Sequence, residues 1–209
     1  LAAGAWLVVN HEITAGSMIA ANFVYNVSNP DGLTIGAIFP ALYFDQVVQR
    51  PEVKYDWSKF VWLGSPVTSN HLLYMRADSP YKTLEDLTDD VIANGHDVSI
   101  TGGSAGGADH ILAAMLLREA GIDADDIDSK LNYVANSGGG EAVTLLLGNN
   151  VSAGISGISE FSEHVLSGSL RALAVSSPER NQILTDAPTI MESGFDLELT
   201  NWRGVLAPG

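Results

Sequence analysis

The 209-residue sequence contains no cysteine. That absence removes a disulfide framework, thiolate-bound zinc and a cysteine nucleophile from consideration. It leaves the redox compartment open, since an exported protein can also do without the residue. Positive charge is scarce too. Ten lysines and arginines stand against 25 aspartates and glutamates, for a net charge of -15. Such a surface repels phosphate backbones, so no nucleic-acid partner is expected, and it favours a soluble, freely diffusing monomer. No run approaches the roughly 20 apolar residues that span a bilayer. The apolar opening Leu1 to Val9 is too short, and it lacks a basic leader region. The five histidines, His11, His71, His96, His110 and His164, show no paired ligand spacing, so no metal is expected. The turn at Gly102 does not spell G-x-G-x-x-G and the glycines at 138–140 lack an acidic partner downstream, so no cofactor is expected. The chain opens on Leu1 and stops at Ala207-Pro208-Gly209, which reads as an internal fragment, so any export signal would lie upstream.

What is present fits a folded globular protein: 46% of residues are apolar and 17% charged. The length suits one large domain or two small lobes. Trp6 to Val9 reads as a short buried strand and Ala20 to Val24 as part of a helix. Asn29-Pro30-Asp31-Gly32 is a turn, with an apolar strand expected over Leu33 to Phe39. Phe60 to Leu63 and Leu72 to Met75 look like further strands, and Thr83 caps a helix whose apolar face is Leu84, Leu87 and Val91. The pattern then becomes regular. Strands over 98–101, 132–135, 151–155 and 171–175 alternate with helices. Their expected inner faces carry Ile111, Leu112, Met115 and Leu116, then Val143, Leu146 and Leu147, then Phe161 and Val165. Alternation of this kind implies an α/β protein with a mostly parallel sheet flanked by helices.

Three successive strand-to-helix turns consist of little but glycine and serine. They are Gly102 to Gly107 with Ser104, Ala105 and Gly106, then Ser137-Gly138-Gly139-Gly140, then Ser156-Gly157. In an open α/β sheet such turns lie at the carboxyl ends of the strands, where ligands bind. Each exposes the N–H groups of a helix N-terminus. Glycine admits a ligand to the backbone, and serine adds a hydroxyl donor. Three such turns in series favour an anion site over mere tight packing. Gly102-Gly103-Ser104-Ala105-Gly106 also matches the G-x-S-x-G nucleophile elbow. A serine hydrolase using Ser104 would need a histidine after the acid. His110 lies on the helix that the serine opens, and His164 follows a glycine turn of its own, so the triad has no base. Trp202-Arg203 either walls a pocket and meets an anion or packs as core beside a solvated arginine.

At these same turns the sequence resembles the receptor proteins of tripartite tricarboxylate transporters, the Bug family of periplasmic solute-binding proteins. The resemblance is carried by Asn29-Pro30-Asp31-Gly32-Leu33-Thr34, by Ala77-Asp78-Ser79-Pro80-Tyr81-Lys82-Thr83-Leu84, and by 102–107 with Asp109-His110. It continues through Tyr133-Val134, Ser137 to Ala142, Gly154-Ile155-Ser156-Gly157 with Glu160-Phe161, 168–175, Pro188-Thr189 and 201–204. It implies a type II periplasmic-binding-protein fold of two lobes with the ligand in a cleft. The first lobe would take residues 1–75, the second 76–200, with 201–209 returning to the first. It further implies an extracytoplasmic receptor that delivers a small carboxylate, di- or tricarboxylate-like, to a large and a small membrane subunit. The alternatives are a signalling sensor with the same clamshell and, behind it, a serine hydrolase using Ser104. The implied ligand contacts are Thr14, Ala15, Gly16 and Ser17, Phe39, Ser104, Ala105, Gly106, Gly107, Ser137, Gly138, Gly139, Ser156, Gly157 and Trp202. Two departures stand out. The family's usual Gly-Ala-Gly-Gly turn is replaced by residues drawn from Ile13 to Ser17, and both the opening glycine-rich loop and the C-terminal helices of the first lobe are missing.

Overall fold

A computed structural model describes residues 18–39 and 41–209. In chain order its elements are helix α1 (Met18–Asn26), strand β1 (Gly36–Ile38), α2 (Ala41–Val47), β2 (Val61–Arg76), α3 (Leu84–Asn94), β3 (Ser99–Gly102), α4 (Ala108–Glu119), α5 (Ile127–Lys130), β4 (Asn132–Ala135), α6 (Gly139–Leu147), β5 (Ala153–Gly157), α7 (Ile158–Leu166), β6 (Leu170–Val175) and β7 (Thr200–Ala207). The chain forms two compact units. One holds the described residues up to Thr68 together with Asn201–Gly209, and the other holds Ser69–Thr200. The division falls inside β2, because the two strands expected at 60–63 and 72–75 are one continuous strand of 16 residues. The strand expected at Trp6 to Val9 lies outside the described residues.

In the first unit β1 pairs antiparallel with β7, from Gly36 opposite Leu206 to Ile38 opposite Gly204. The strand expected from Leu33 shortens to Gly36–Ile38, since Leu33 and Ile35 are exposed and only Gly36 onward meets β7. Met18, Ala21, Val24, Ile38, Leu42, Tyr55, Phe60 and Leu206 form the core of this unit. Asn22 fastens α1 to the 52–54 segment: it accepts from the Lys54 N–H at 2.8 Å and donates to the Glu52 carbonyl at 2.9 Å.

The second unit orders its strands β6-β2-β5-β3-β4. β3 runs parallel to both β4 and β5, and β2 runs antiparallel to β5 and β6. The sheet is therefore mixed, with its parallel part made by the three βα segments. Side chains alternate across a strand, so β2 feeds both faces. Leu73 and Met75 join α3 and α4 in one core, while Leu72 and Tyr74 join α6 and α7 in another. On α4 the buried residues are Leu112, Ala113, Leu116 and Leu117, with Met115 38% exposed. On α6 they are Ala142 and Leu146, with Leu147 49% exposed. Both inner faces thus include an alanine in place of a larger residue counted from the sequence. A small side chain lets the helix lie close to the sheet, and bulk alone does not reveal that.

α3 begins as its sequence predicts. The Thr83 hydroxyl accepts from the Asp86 N–H, and the Asp86 carboxylate accepts from the Thr83 N–H at 3.0 Å and the Lys82 N–H at 2.6 Å. These backbone donors hold the Asp86 carboxyl below its ordinary value. The stabilisation is present above the unfolded carboxylate value and lost as pH falls through the lowered folded one. Thr83→Ala should cost about 1 kcal/mol, read as a drop in the urea midpoint with an unchanged slope.

Candidate functional site: the glycine turns of the second unit

Because β5, β3 and β4 are adjacent and parallel, their carboxyl ends open at one edge of the sheet. Ser104 to Gly107, Ser137 to Gly139, and Ser156 with Gly157 all lie there. This gathers the second-unit part of the site expected from the sequence into one place. Thr14, Ala15, Gly16 and Ser17 lie outside the described residues. Phe39 and Trp202 belong to the first unit. There the Trp202 ring packs edge-on against Trp57 and Trp62, and the Arg203 guanidinium stacks 3.9 Å over the Phe39 ring.

The first turn is bound by its own helix and by β4. The Gly107 N–H donates to the Ser104 carbonyl at 2.9 Å, and Gly106 adopts a φ of +77°, which favours glycine. The Gly103 N–H donates to Asp109 Oδ2 at 2.8 Å, and the Gly106 N–H donates to His110 Nδ1 at 2.9 Å. A backbone N–H can only donate, so His110 Nδ1 carries no proton here. The Tyr133 hydroxyl donates to the Gly103 carbonyl at 3.1 Å, and its ring stacks on His110 at 4.3 Å. Gly102 has to be glycine for space: a Cβ there would meet the Tyr133 hydroxyl and come within 2.8 Å of Asp109 Cβ. Burial, with the Asp109 charge adding to it, drives the Tyr133 phenol well above its ordinary range, so it stays a neutral donor.

The second turn is tied to the first. The Asn136 N–H donates to the Gly102 carbonyl at 2.8 Å, and Asn136 Oδ1 accepts from the Gly138 N–H at 2.9 Å. Gly138 sits at φ +146°. Glu141 Oε2 accepts from both the Ser137 hydroxyl, at 2.6 Å, and the Ser137 N–H, at 2.8 Å, which lowers the Glu141 carboxyl. At the third turn the Ser156 hydroxyl donates to Glu160 Oε2 at 3.2 Å. The same oxygen lies 3.1 Å from where a Cβ on Gly139 would sit, so the turns before α6 and α7 adjoin.

Each helix therefore brings an acid in its first turn, Asp109, Glu141 or Glu160, that takes up donors of the turn before it. A sequence pattern of acid soon after a glycine turn signals this, and reading the turns as wholly vacant donors overlooks it. Among the donors left over are the N–H groups of Ser104, Ala105, Gly139 and Gly140 and the Ser104 hydroxyl, none with an acceptor among the described residues. Preorganised N–H groups at helix starts favour an anion. Nucleophilic chemistry lacks support at the same place. Ser104 Oγ makes no hydrogen bond to His71 or His110 among the described residues, and His110 Nδ1 is taken by Gly106.

A model for the tripartite tricarboxylate transporter family receptor matches residues 3–209. A protein of Pseudomonas sp. (strain P51), from the tcbD-tcbE intergenic region, is 28% identical over 98% of this chain and 59% of its own length. One of Agrobacterium vitis, from the ttuE-ttuC' intergenic region, is 30% identical over 97% of this chain and 56% of its own. The chain thus spans little more than half the length of these curated relatives. Among solved structures, the periplasmic binding protein BugD superposes with a TM-score of 0.76 at 25% identity, over 92% of this chain and 62% of BugD. MatC of Rhodopseudomonas palustris with bound malate gives 0.76 at 23% identity, over 93% of this chain and 64% of that one. A second R. palustris protein, solved with adipate, gives 0.69 at 21%, over 90% of this chain and 61% of its own. These likenesses place the α/β fold among the periplasmic binding proteins.

Proposed function

Because the chain belongs to the tripartite tricarboxylate transporter receptor family, we propose that it works as an extracytoplasmic solute-binding receptor and captures a small carboxylate at the glycine turns of its second unit. The observation that carries this reading is the set of unspent N–H groups at Ser104, Ala105, Gly139 and Gly140 at the carboxyl ends of the parallel strands β3 and β4. Neutral backbone donors bind a carboxylate without a buried cation, which suits a receptor that must later release its cargo. The malate and adipate held by two proteins of the same fold support the ligand class. Delivery to a large and a small membrane subunit follows from the family. Capture without chemical change is the reading that the receptor family supports.

The test is a thermal-shift screen of the full chain against malate, adipate, citrate and succinate, with neutral amides of matched size as controls. A ligand at 100 times its Kd should stabilise the protein by about 2.7 kcal/mol. If no carboxylate raises the melting temperature more than its amide control does, the reading is wrong.

A further inference from the structure

His71 is buried, 1% exposed, on β2 directly opposite Gly157 of the third turn. Its Nε2 lies 3.0 Å from Asp109 Oδ1, while Asp109 Oδ2 accepts the Gly103 N–H of the first turn. The Nε2 contact lies off the direction of a well-formed hydrogen bond, and Nδ1 has no partner among the described residues. The imidazole thus lies beside the Asp109 carboxylate without a directed hydrogen bond. An anion at the unspent donors of Ser104 and Ala105 would sit beside the Asp109 carboxylate and be repelled by it. Protonation of His71 neutralises that pair.

We propose that His71 is a positioning residue that acts through Asp109, and that capture of a carboxylate guest is coupled to uptake of a proton by the His71–Asp109 pair. The inference rests on the carboxylate reading above. Its physical basis is reciprocity: a guest that binds better next to the protonated pair must in turn favour protonation. The proton comes from solvent and resides on His71, and no covalent bond changes. The other titratable groups around the pair are Tyr133 on β4, which bonds the Gly103 carbonyl, His110 on α4, stacked on Tyr133, Tyr74 on β2 itself, and Glu160 on α7, whose Oε1 lies 3.8 Å from the Cβ position of Gly157. Both tyrosines are held neutral by burial, so they do not exchange protons in the working range. His110 Nδ1 accepts from the Gly106 N–H of the first turn.

Calorimetry of the full chain with whichever of malate, adipate, citrate or succinate binds most tightly, in two buffers of different ionisation enthalpy, measures the coupling. The wild type should take up a fraction of a proton per guest, with affinity rising as pH falls. His71→Gln should bind with a flat pH profile and no uptake. Asp109→Asn should behave likewise and, with the repelling charge gone, bind at least as tightly near pH 8. Binding by the wild type with no uptake, or unchanged uptake in His71→Gln, overturns the proposal while leaving the carboxylate reading intact. Absence of binding by every carboxylate overturns both. Loss of the ligand-free fold in both variants, seen by circular dichroism, would mean the pair is structural and would also overturn it.

Discussion

Phe161→Ala should destabilise the protein by about 3–5 kcal/mol, the range for deleting a fully buried aromatic ring. The ring is 0% exposed and stacks on Tyr74, also fully buried, with centroids 4.1 Å apart and planes 24° from parallel. Tyr74 in turn lies flat over Gly154, where an added Cβ would come within 2.7 Å of the ring. Three successive layers, a glycine and two aromatics, thus pack α7 onto β5 in close contact, so alanine would leave a cavity between them. The Phe161 ring tip also reaches within 3.6 Å of the Cβ position of Gly139, at the start of α6. Its removal should therefore loosen the second turn as well as the core. Chemical denaturation followed by far-ultraviolet circular dichroism gives the comparison. Leu147→Ala, on the half-exposed side of α6, should change stability by only about 0.5 kcal/mol. A Phe161→Ala cost below that of Leu147→Ala would overturn the assignment of the inner faces.

That pair of substitutions also measures how far the amino-acid pattern reveals the packing. Val143, Leu146 and Leu147 look like one apolar face, yet α6 buries Ala142 and Leu146 and turns Leu147 outward. The glycines at the start of the helix bring it close to Phe161, and close approach selects alanine over bulk at the contact. Element type and order are legible, because strand periods, glycine turns and the Thr83 cap are local signals. The continuity of β2 is not. Gly64 and Pro66 interrupt its pattern in the exposed half, and only pairing partners far along the chain reveal a strand of 16 residues. For the site, the glycine and serine turns stand out in the sequence, and the parallel order of β5, β3 and β4 explains why they meet. His71 does not stand out. It is one histidine inside a strand, 38 residues before its partner Asp109, and the contact between them exists only once α4 has folded over the sheet. Long-range pairing between a strand and a helix start leaves no spacing rule to read.

The remaining large effect concerns which atoms hold the guest. Ser104 is exposed at the tip of the first turn, and its hydroxyl and N–H are among the unspent donors. Ser104→Ala removes only a hydroxyl and should weaken carboxylate binding a few-fold, about the worth of one neutral hydrogen bond. Ser104→Trp fills the space in front of the N–H groups and should weaken it by roughly 100-fold or more, about 2.7 kcal/mol or more. Steric loss alone does not prove that the backbone is the donor, and Gly139→Pro supplies that proof. Gly139 is the first residue of α6, where proline is accepted because no intrahelical bond is lost. The preceding Gly138 is extended in ψ, at 177°, as a residue before proline must be. The nearest atom to a new Cβ is the Glu160 carboxylate oxygen at 3.1 Å, the end of a flexible side chain. Proline therefore deletes one N–H and leaves the helix in place. A charge-assisted bond lost in this way should weaken binding by about 10- to 100-fold, whereas Gly139→Ala, which retains the N–H, should weaken it much less. Isothermal titration with the tightest carboxylate, beside circular dichroism of each variant, separates the two. Equal affinities for the proline and alanine variants would mean that side chains, not peptide groups, grip the anion.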